Sequence, residues 1–222
     1  MEQRDIFPAG QSGLNAAAVE RRLAGYAAAG RRSAESADGR PRGDHDLNPE
    51  FYEPGQALTR AAVLVPIVVR EAGLTLLLTQ RTDHLYDHAG QVSFPGGRID
   101  AGDSGPEAAA LRETEEEIGL SRERVRLIGR LDTYLIRTGF EVTPVVGLVT
   151  PPFDLAPDSF EVAEVFEVPL DFFLDPNNCE RHCRLFEGKD RYFYAFPYGD
   201  HYIWGATAGM LINLAEVLGS GA

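Results

Sequence analysis

The chain has 222 residues, 44% hydrophobic and 25% charged, with a formal net charge of -13. That size suits one domain with extensions, or two small ones. The acidic balance argues against a protein whose main affinity is for nucleic-acid backbones, and no apolar run approaches the ~18 residues of a membrane span.

The start, MEQRDIFPAG, has no basic stretch followed by an apolar one, so no secretory signal is expected. Cys179 and Cys183 give no disulfide framework, which points to a reducing cytoplasm. Residues 11–30 read as an Ala-rich helix that packs on the main domain or on a second copy in a homodimer. Residues 31–50, rich in Gly, Arg, Ser, Asp and Pro, read as a linker or loosely packed arm. The division expected is an N-terminal arm over 1–56 and a main domain over 57–222.

In that domain, 60–70 and 74–81 read as apolar strands around an Glu71-Ala72-Gly73 turn, and 82–103 as a long loop. A helix follows over about 104–118, then strands over 125–134 and 141–150. Residues 168–175 suggest a short helix, 181–188 and 190–199 a hairpin around Gly188, and 206–220 a closing amphipathic helix. Mixed strands with two main helices predict an α/β/α sandwich.

The helix near 104–118 carries the chemistry. Ser104 with Glu107 has the spacing of a capping box, Pro106 suits a first turn, and Gly119 suits a stop. At about 100° per residue, Glu113, Glu116 and Glu117 share one narrow face. Leu111 and Ile118 mark an expected core side, and Glu115 falls at its edge, away from the other three. Like charges this close cost a few tenths of a kcal/mol per pair. A hard divalent cation with oxygen ligands would offset that; a solvated acidic face is the other reading.

The preceding FPGG turn (94–97) allows close backbone approach to a ligand. Gly97, Asp103 and RETEEEIGL (112–120) together resemble the Nudix box, G-x5-E-x7-R-E-U-x-E-E-x-G-U, where U is bulky and apolar. Asp103 stands where the pattern has Glu, eight residues rather than seven precede Arg112, and Thr114 replaces the larger apolar residue. The resemblance implies a Nudix-type sandwich with a mixed sheet and a loop–helix–loop catalytic box. It also implies hydrolysis of a nucleoside diphosphate derivative with Mg²⁺ or Mn²⁺. By position, Glu113, Glu116 and Glu117 would be catalytic and ligate metal, with the Gly97 carbonyl a further ligand. Arg112 and Asp103 would be structural supports.

Residues 76–97, LLLTQRTDHLYDHAGQVSFPGG, further resemble the coenzyme A pyrophosphatase signature, LLTxR-[SA]-x3-R-x3-G-x3-FPGG. Thr82 replaces the small residue and Tyr86 the second Arg. A Tyr offers one donor where an Arg offers a fork. This resemblance implies coenzyme A or an acyl-coenzyme A as substrate, with ADP-ribose the alternative. Arg81, Gln91, Phe94 and Gly96 are the substrate-contact candidates. His84 and His88 read as surface residues. Glu161 and Glu164, read on a loop, are candidate general bases beside Glu116 and Glu117, and Glu164 is preferred for the site. Cys179, His182 and Cys183 lack the fourth ligand of a structural zinc site and read as reduced thiols with a neighbouring His. Trp204 and the aromatics of 192–196 read as core, with stacking on adenine the alternative.

Overall fold

A computed structural model of the chain describes residues 13–29, 41–52, 55–84, 90–186 and 188–219. Tyr86 and His88, with the first residues of the expected N-terminal helix and the first half of the expected linker, lie outside them.

Helix α1 runs Ala16–Ala28, shorter than expected, because Asn15 caps it: its Oδ1 accepts the Ala18 N–H at 3.0 Å. Val19 and Leu23 turn its apolar stripe into this chain's own core. The short strand β1, Arg42–Gly43, follows, then two single-turn 3₁₀ segments. Over 41–50 the structure departs from the linker or loosely packed arm expected there. Arg42 Nε donates to Asp132 Oδ2 at 2.8 Å, and Tyr26 Oη donates to Asp132 Oδ1 at 2.6 Å. Asn48 acts as a strand surrogate: its Nδ2 donates to Tyr192 O at 2.9 Å and its Oδ1 accepts the Tyr192 N–H at 2.7 Å. Buried polar groups hold when every partner is supplied, and here polar side chains replace apolar ones as the fastening.

The central sheet is built from β2 (Thr59–Arg70), β3 (Gly73–Arg81), β4 (Val92–Ser93), β5 (Gly96–Arg98), β6 (Val125–Arg130), β7 (Tyr134–Ile136), β8 (Phe140–Val149) and β9 (Val162–Pro169). Its order is β1-β7-β8-β2-β3-β4, with β5 on β2, β6 on β8 and β9 on β3. The sheet is mixed: β2 runs parallel to β8 and antiparallel to β3. β2 is apolar almost throughout because both its faces are covered. Val65 and Ile67 face one core; Ala62, Leu64 and Val68 face the other. Two expectations change. The loop expected over 82–103 contains β4 and β5. The strand expected over 125–134 breaks at 131–133, where Asp132 turns inward to Arg42, Tyr26 and Asn213.

Helix α2, Pro106–Ile118, covers the second core. Pro106 stands in its first turn, and Gly119 ends it in the left-handed region at φ 69°. The capping box does not form: the N-cap is Gly105 with no side-chain bond. Glu107 is drawn to Arg130 instead. The buried stripe runs through Ala110, Thr114, Glu117 and Ile118, with Leu111 only half-buried. Glu117 therefore sits on the core side, about a quarter-turn from where Leu111 had placed it.

Beyond β9 come the short helix α3 (Leu170–Leu174) and strands β10 (Glu180–Phe186), β11 (Lys189–Tyr198) and β12 (His201–Trp204). They form a second, three-stranded antiparallel sheet. The hairpin about Gly188 stands as expected, and β12 extends it. Cys179 is buried and Cys183 exposed, both as thiols; His182 pairs with Glu180 at 2.7 Å. Helix α4, Ala206–Gly219, closes the first core. It is not amphipathic, because α1, α3, the second sheet and β7 enclose it on almost every side. Its Gly209 admits the buried Tyr134 ring: a Cβ there would lie 2.5 Å from Tyr134 Cε2. Gly209→Ala is expected to cost about 1–3 kcal/mol, read as a lowered midpoint in urea at unchanged slope.

Among the described residues no helix is long and apolar enough to cross a membrane.

Candidate active site

The site forms where α2 lies over the β5–β2 ladder. Gly97 pairs with Ala62 and Gly96 with Val63. A Cβ on Gly97 would stand 2.5 Å from the Glu113 carboxyl carbon, so the missing side chain is the space that the carboxylate fills. Gly96 has φ 148°, and a Cβ there would meet Ala62 O at 2.4 Å. Gly96 admits no side chain, whereas one at Gly97 would displace the Glu113 carboxylate.

The three glutamates descend in depth. Glu116 is 60% exposed in its side chain, Glu113 21% and Glu117 9%. The Gly96 N–H donates to Glu117 Oε2 at 3.0 Å, and Arg81 Nη1 lies 3.7 Å from Oε1. Burial pushes the Glu117 carboxyl up to about 7; the Gly96 N–H and Arg81 pull it down, and Glu161 and Glu113 push it up. Glu113 is also raised, chiefly by burial, against the pull of Arg112.

Arg112 fastens the loop to the helix. Its Nε donates to Asp103 Oδ1 at 3.1 Å and its Nη2 to Asp103 Oδ2 at 3.0 Å, a fork on one carboxylate. Nη2 also donates to the Arg98 carbonyl at 3.1 Å. Nη1 donates to Glu113 Oε1 and to Glu116 Oε2, both at 2.9 Å. Held this way, the carboxylates do not converge on one point, and no group of three His, Cys, Asp or Glu among the described residues closes as a cage. Glu116 is exposed enough to turn. Asp103 accepts the Arg112 fork despite its shorter side chain and the extra residue before Arg112. Glu115 points away and pairs with Arg122 at 2.7 Å.

Arg81 ends β3. Its Nε is buried without a hydrogen-bond partner, while Nη2 lies 4.0 Å from Glu161 Oε2. Its backbone N–H donates to the Gln91 carbonyl at 2.9 Å, which brings β4 alongside. Two sequence-based expectations fail here. Phe94 is 2% exposed and packs in the first core, so its ring is unavailable to a substrate. Glu164 lies on β9 rather than a loop, in register with Gln80. Strand alternation puts it on the same face as Phe166, which packs on the α4-side core, across the sheet from α2. There it lies 3.9 Å from His201 Nε2. Of the two loop candidates, Glu161, just before the strand, is the one beside Arg81.

Spacing alone did not reveal the segment that holds Glu161. Asp158 N–H donates to Glu117 O at 2.8 Å, and Thr82 N–H donates to Glu161 O at 3.0 Å. The Asp158-Ser159 turn signal was present but had no partner visible in sequence.

An oxygen-rich cleft of graded burial, floored by two glycines and edged by a cation, suits the anionic bridge of a phosphoanhydride and a hard metal ion. Comparison with known proteins gives the same class: residues 58–186 match the NUDIX domain model. The chain belongs to the Nudix family, whose members are hydrolases of pyrophosphate bonds in nucleoside diphosphate derivatives and generally need divalent metal ions. It is 43% identical over 167 residues to the uncharacterized Nudix hydrolase NudL of Citrobacter koseri, covering 74% of this chain and 86% of that protein. The NudL of Escherichia coli K12 is 42% identical over 173 residues, covering 78% and 90%. Among solved structures, a C. elegans Ap4A hydrolase complex aligns with a TM-score of 0.44 at 23% identity, covering 50% of this chain and 80% of that one.

Proposed function

We propose that this chain hydrolyses the pyrophosphate bond of coenzyme A or an acyl-coenzyme A, giving 4'-phosphopantetheine and adenosine 3',5'-bisphosphate. The observation that carries the reading is Arg81. It is the arginine of the LLTxR…FPGG signature, its Nε is buried without a partner, and it stands 3.7 Å from Glu117. A guanidinium left incomplete beside a carboxylate cleft is suited to a phosphate.

Glu113, Glu116 and Glu117, with the Gly97 carbonyl, would hold Mg²⁺ or Mn²⁺; the all-oxygen donor set fits either ion. When bound, the ion supplies charge neutralisation at the phosphate oxygens and acidifies water. Arg81 orients the pyrophosphate and offsets charge on the leaving phosphate. Glu161, in place of Glu164, is the proposed acceptor of the water proton as the oxygen attacks phosphorus and the bridging P–O bond breaks. Arg112 and Asp103 hold the loop so that Gly96 stays bonded to Glu117. The substrate is a small molecule and not a nucleic acid, and the two thiols fit a reducing cytoplasm.

A panel of coenzyme A, ADP-ribose and deoxynucleoside triphosphates, assayed with Mg²⁺ and with Mn²⁺, tests this. Coenzyme A is expected to be cleaved with kcat/KM at least about tenfold above the others, a difference of about 1.4 kcal/mol. Preference for ADP-ribose, or equal turnover across the panel, would remove the coenzyme A reading.

A further inference from the structure

Among the described residues three large apolar side chains are conspicuously exposed: Phe160, Leu185 and Tyr202. The last two lie on the second sheet. Phe160, at 64% exposure, immediately precedes Glu161 at the rim of the carboxylate cleft.

An isolated exposed Phe needs no explanation by itself. The backbone that carries this one is tied on both sides. Its N–H donates to Asp158 Oδ1 at 2.9 Å, and its carbonyl accepts from Thr82 Oγ1 at 2.8 Å. Asp158 O accepts the Glu161 and Val162 N–H groups at 3.0 and 2.8 Å. Asp158 N–H in turn is bonded to the backbone carbonyl of Glu117. The turn is thus pinned on one side to Glu117, itself a candidate metal ligand, and on the other to Thr82, the residue after Arg81. Thr82, which departs from the small residue of the signature, uses both its N–H and its hydroxyl to hold 160 and 161. His84 lies against Phe160, ring centroids 4.9 Å apart at 60°.

An aromatic ring on a pinned backbone, backed by His84, open to solvent and one residue from Glu161, suits stacking on a planar base: the cost of ordering that backbone is met before the ligand arrives. We infer that Phe160, supported by His84, is the platform on which the nucleobase of the substrate stacks. This rests on the site being a nucleoside diphosphate site, and it names which end of the substrate meets the β8–β9 connection.

The test uses two ligands that the enzyme cannot cleave, measured by calorimetry with Mg²⁺ on the full chain. One is α,β-methylene-ADP; the other is methylenediphosphonate, the same head without a nucleoside. Phe160→Ala is expected to weaken α,β-methylene-ADP about tenfold, within the range for loss of one base–aromatic stack, and to leave methylenediphosphonate unchanged. Phe160→Trp is expected to restore the nucleotide affinity. Because the side chain is exposed, both variants should melt like the parent. Equal loss for both ligands, no loss for either, or failure of the parent chain to bind α,β-methylene-ADP more tightly than methylenediphosphonate would overturn the inference. Failure of coenzyme A turnover in the parent chain would overturn the substrate assignment alone, since this comparison uses no coenzyme A.

Discussion

Glu117→Gln is expected to lower turnover by about 10³-fold or more and, in the same protein, to raise the melting temperature in chelator at pH 8. The two effects have one cause. Glu117 is a carboxylate on the buried stripe of α2, and its carboxyl is pushed up to about 7, mainly by burial, from an ordinary 4.5. Below pH 4.5 it is protonated in both folded and unfolded chains and costs nothing. As pH rises through 4.5 to about 7 the unfolded chain ionises first, so the folded state binds the extra proton and loses relative stability. Above pH 7 the full penalty stands, up to about 3 kcal/mol in the absence of a bound cation.

The Gln amide keeps an oxygen for the Gly96 N–H and carries no charge to desolvate or to repel Glu113 and Glu161. The melting advantage should therefore reach several °C at pH 8 and fade by pH 5. Adding Mg²⁺ should raise the parent chain more than the variant, because binding to the folded state stabilises by mass action. Glu115→Gln is the control: its partner is Arg122 on the opposite side of the helix, and turnover should stay near normal. A Glu117→Gln protein that melts lower at pH 8, or that turns over near normally, would contradict this account of the residue.

The second large effect separates the adjacent glycines. Gly97→Ala puts a methyl group 2.5 Å from the Glu113 carboxyl carbon. The obstruction is the end of a flexible side chain, so the carboxylate swings aside and the strand stays. Turnover is expected to fall about 100-fold with stability changed by less than about 1 kcal/mol. The peptide carbonyl of residue 97 is kept, so the loss reports on Glu113. Gly96→Ala meets backbone instead, Ala62 O at 2.4 Å and Val63 Cα at 2.5 Å, at a φ of 148°. It should destabilise the whole fold by about 3 kcal/mol or more. Urea unfolding beside a turnover assay distinguishes them. Equal destabilisation by both substitutions would show that the Gly97–Glu113 contact is not as described.

The family box was legible because its information is spacing, and spacing survives translation into a strand–loop–helix. Pro106 and Gly119 marked the ends of α2 for local reasons that no tertiary contact overrides. The rotation of α2 is not legible from its large apolar residues, because Leu111 is only half-buried. The stripe that packs is Ala110, Thr114, Glu117 and Ile118, where small side chains let the helix approach β2 and one carboxylate goes in with them. Residues 41–50 look like linker because Arg42 and Asn48 are polar; these two are fastened by partners 90 to 174 residues away. The same blindness affected α4, whose outer face is covered by a sheet that sequence periodicity could not attach to it. Glu161 and Glu164 were indistinguishable on a presumed loop. A strand and a register irregularity beside Arg81 put them on different sides of the problem.

Turnover before and after removal of divalent ions tests the central claim most directly. Chelator-treated protein, assayed on coenzyme A with and without added Mg²⁺ or Mn²⁺, should be inactive when stripped and fully restored by either ion, with Glu117→Gln restored by neither. Undiminished hydrolysis by the stripped parent chain would contradict the assembly of Glu113, Glu116 and Glu117 as the metal-binding centre.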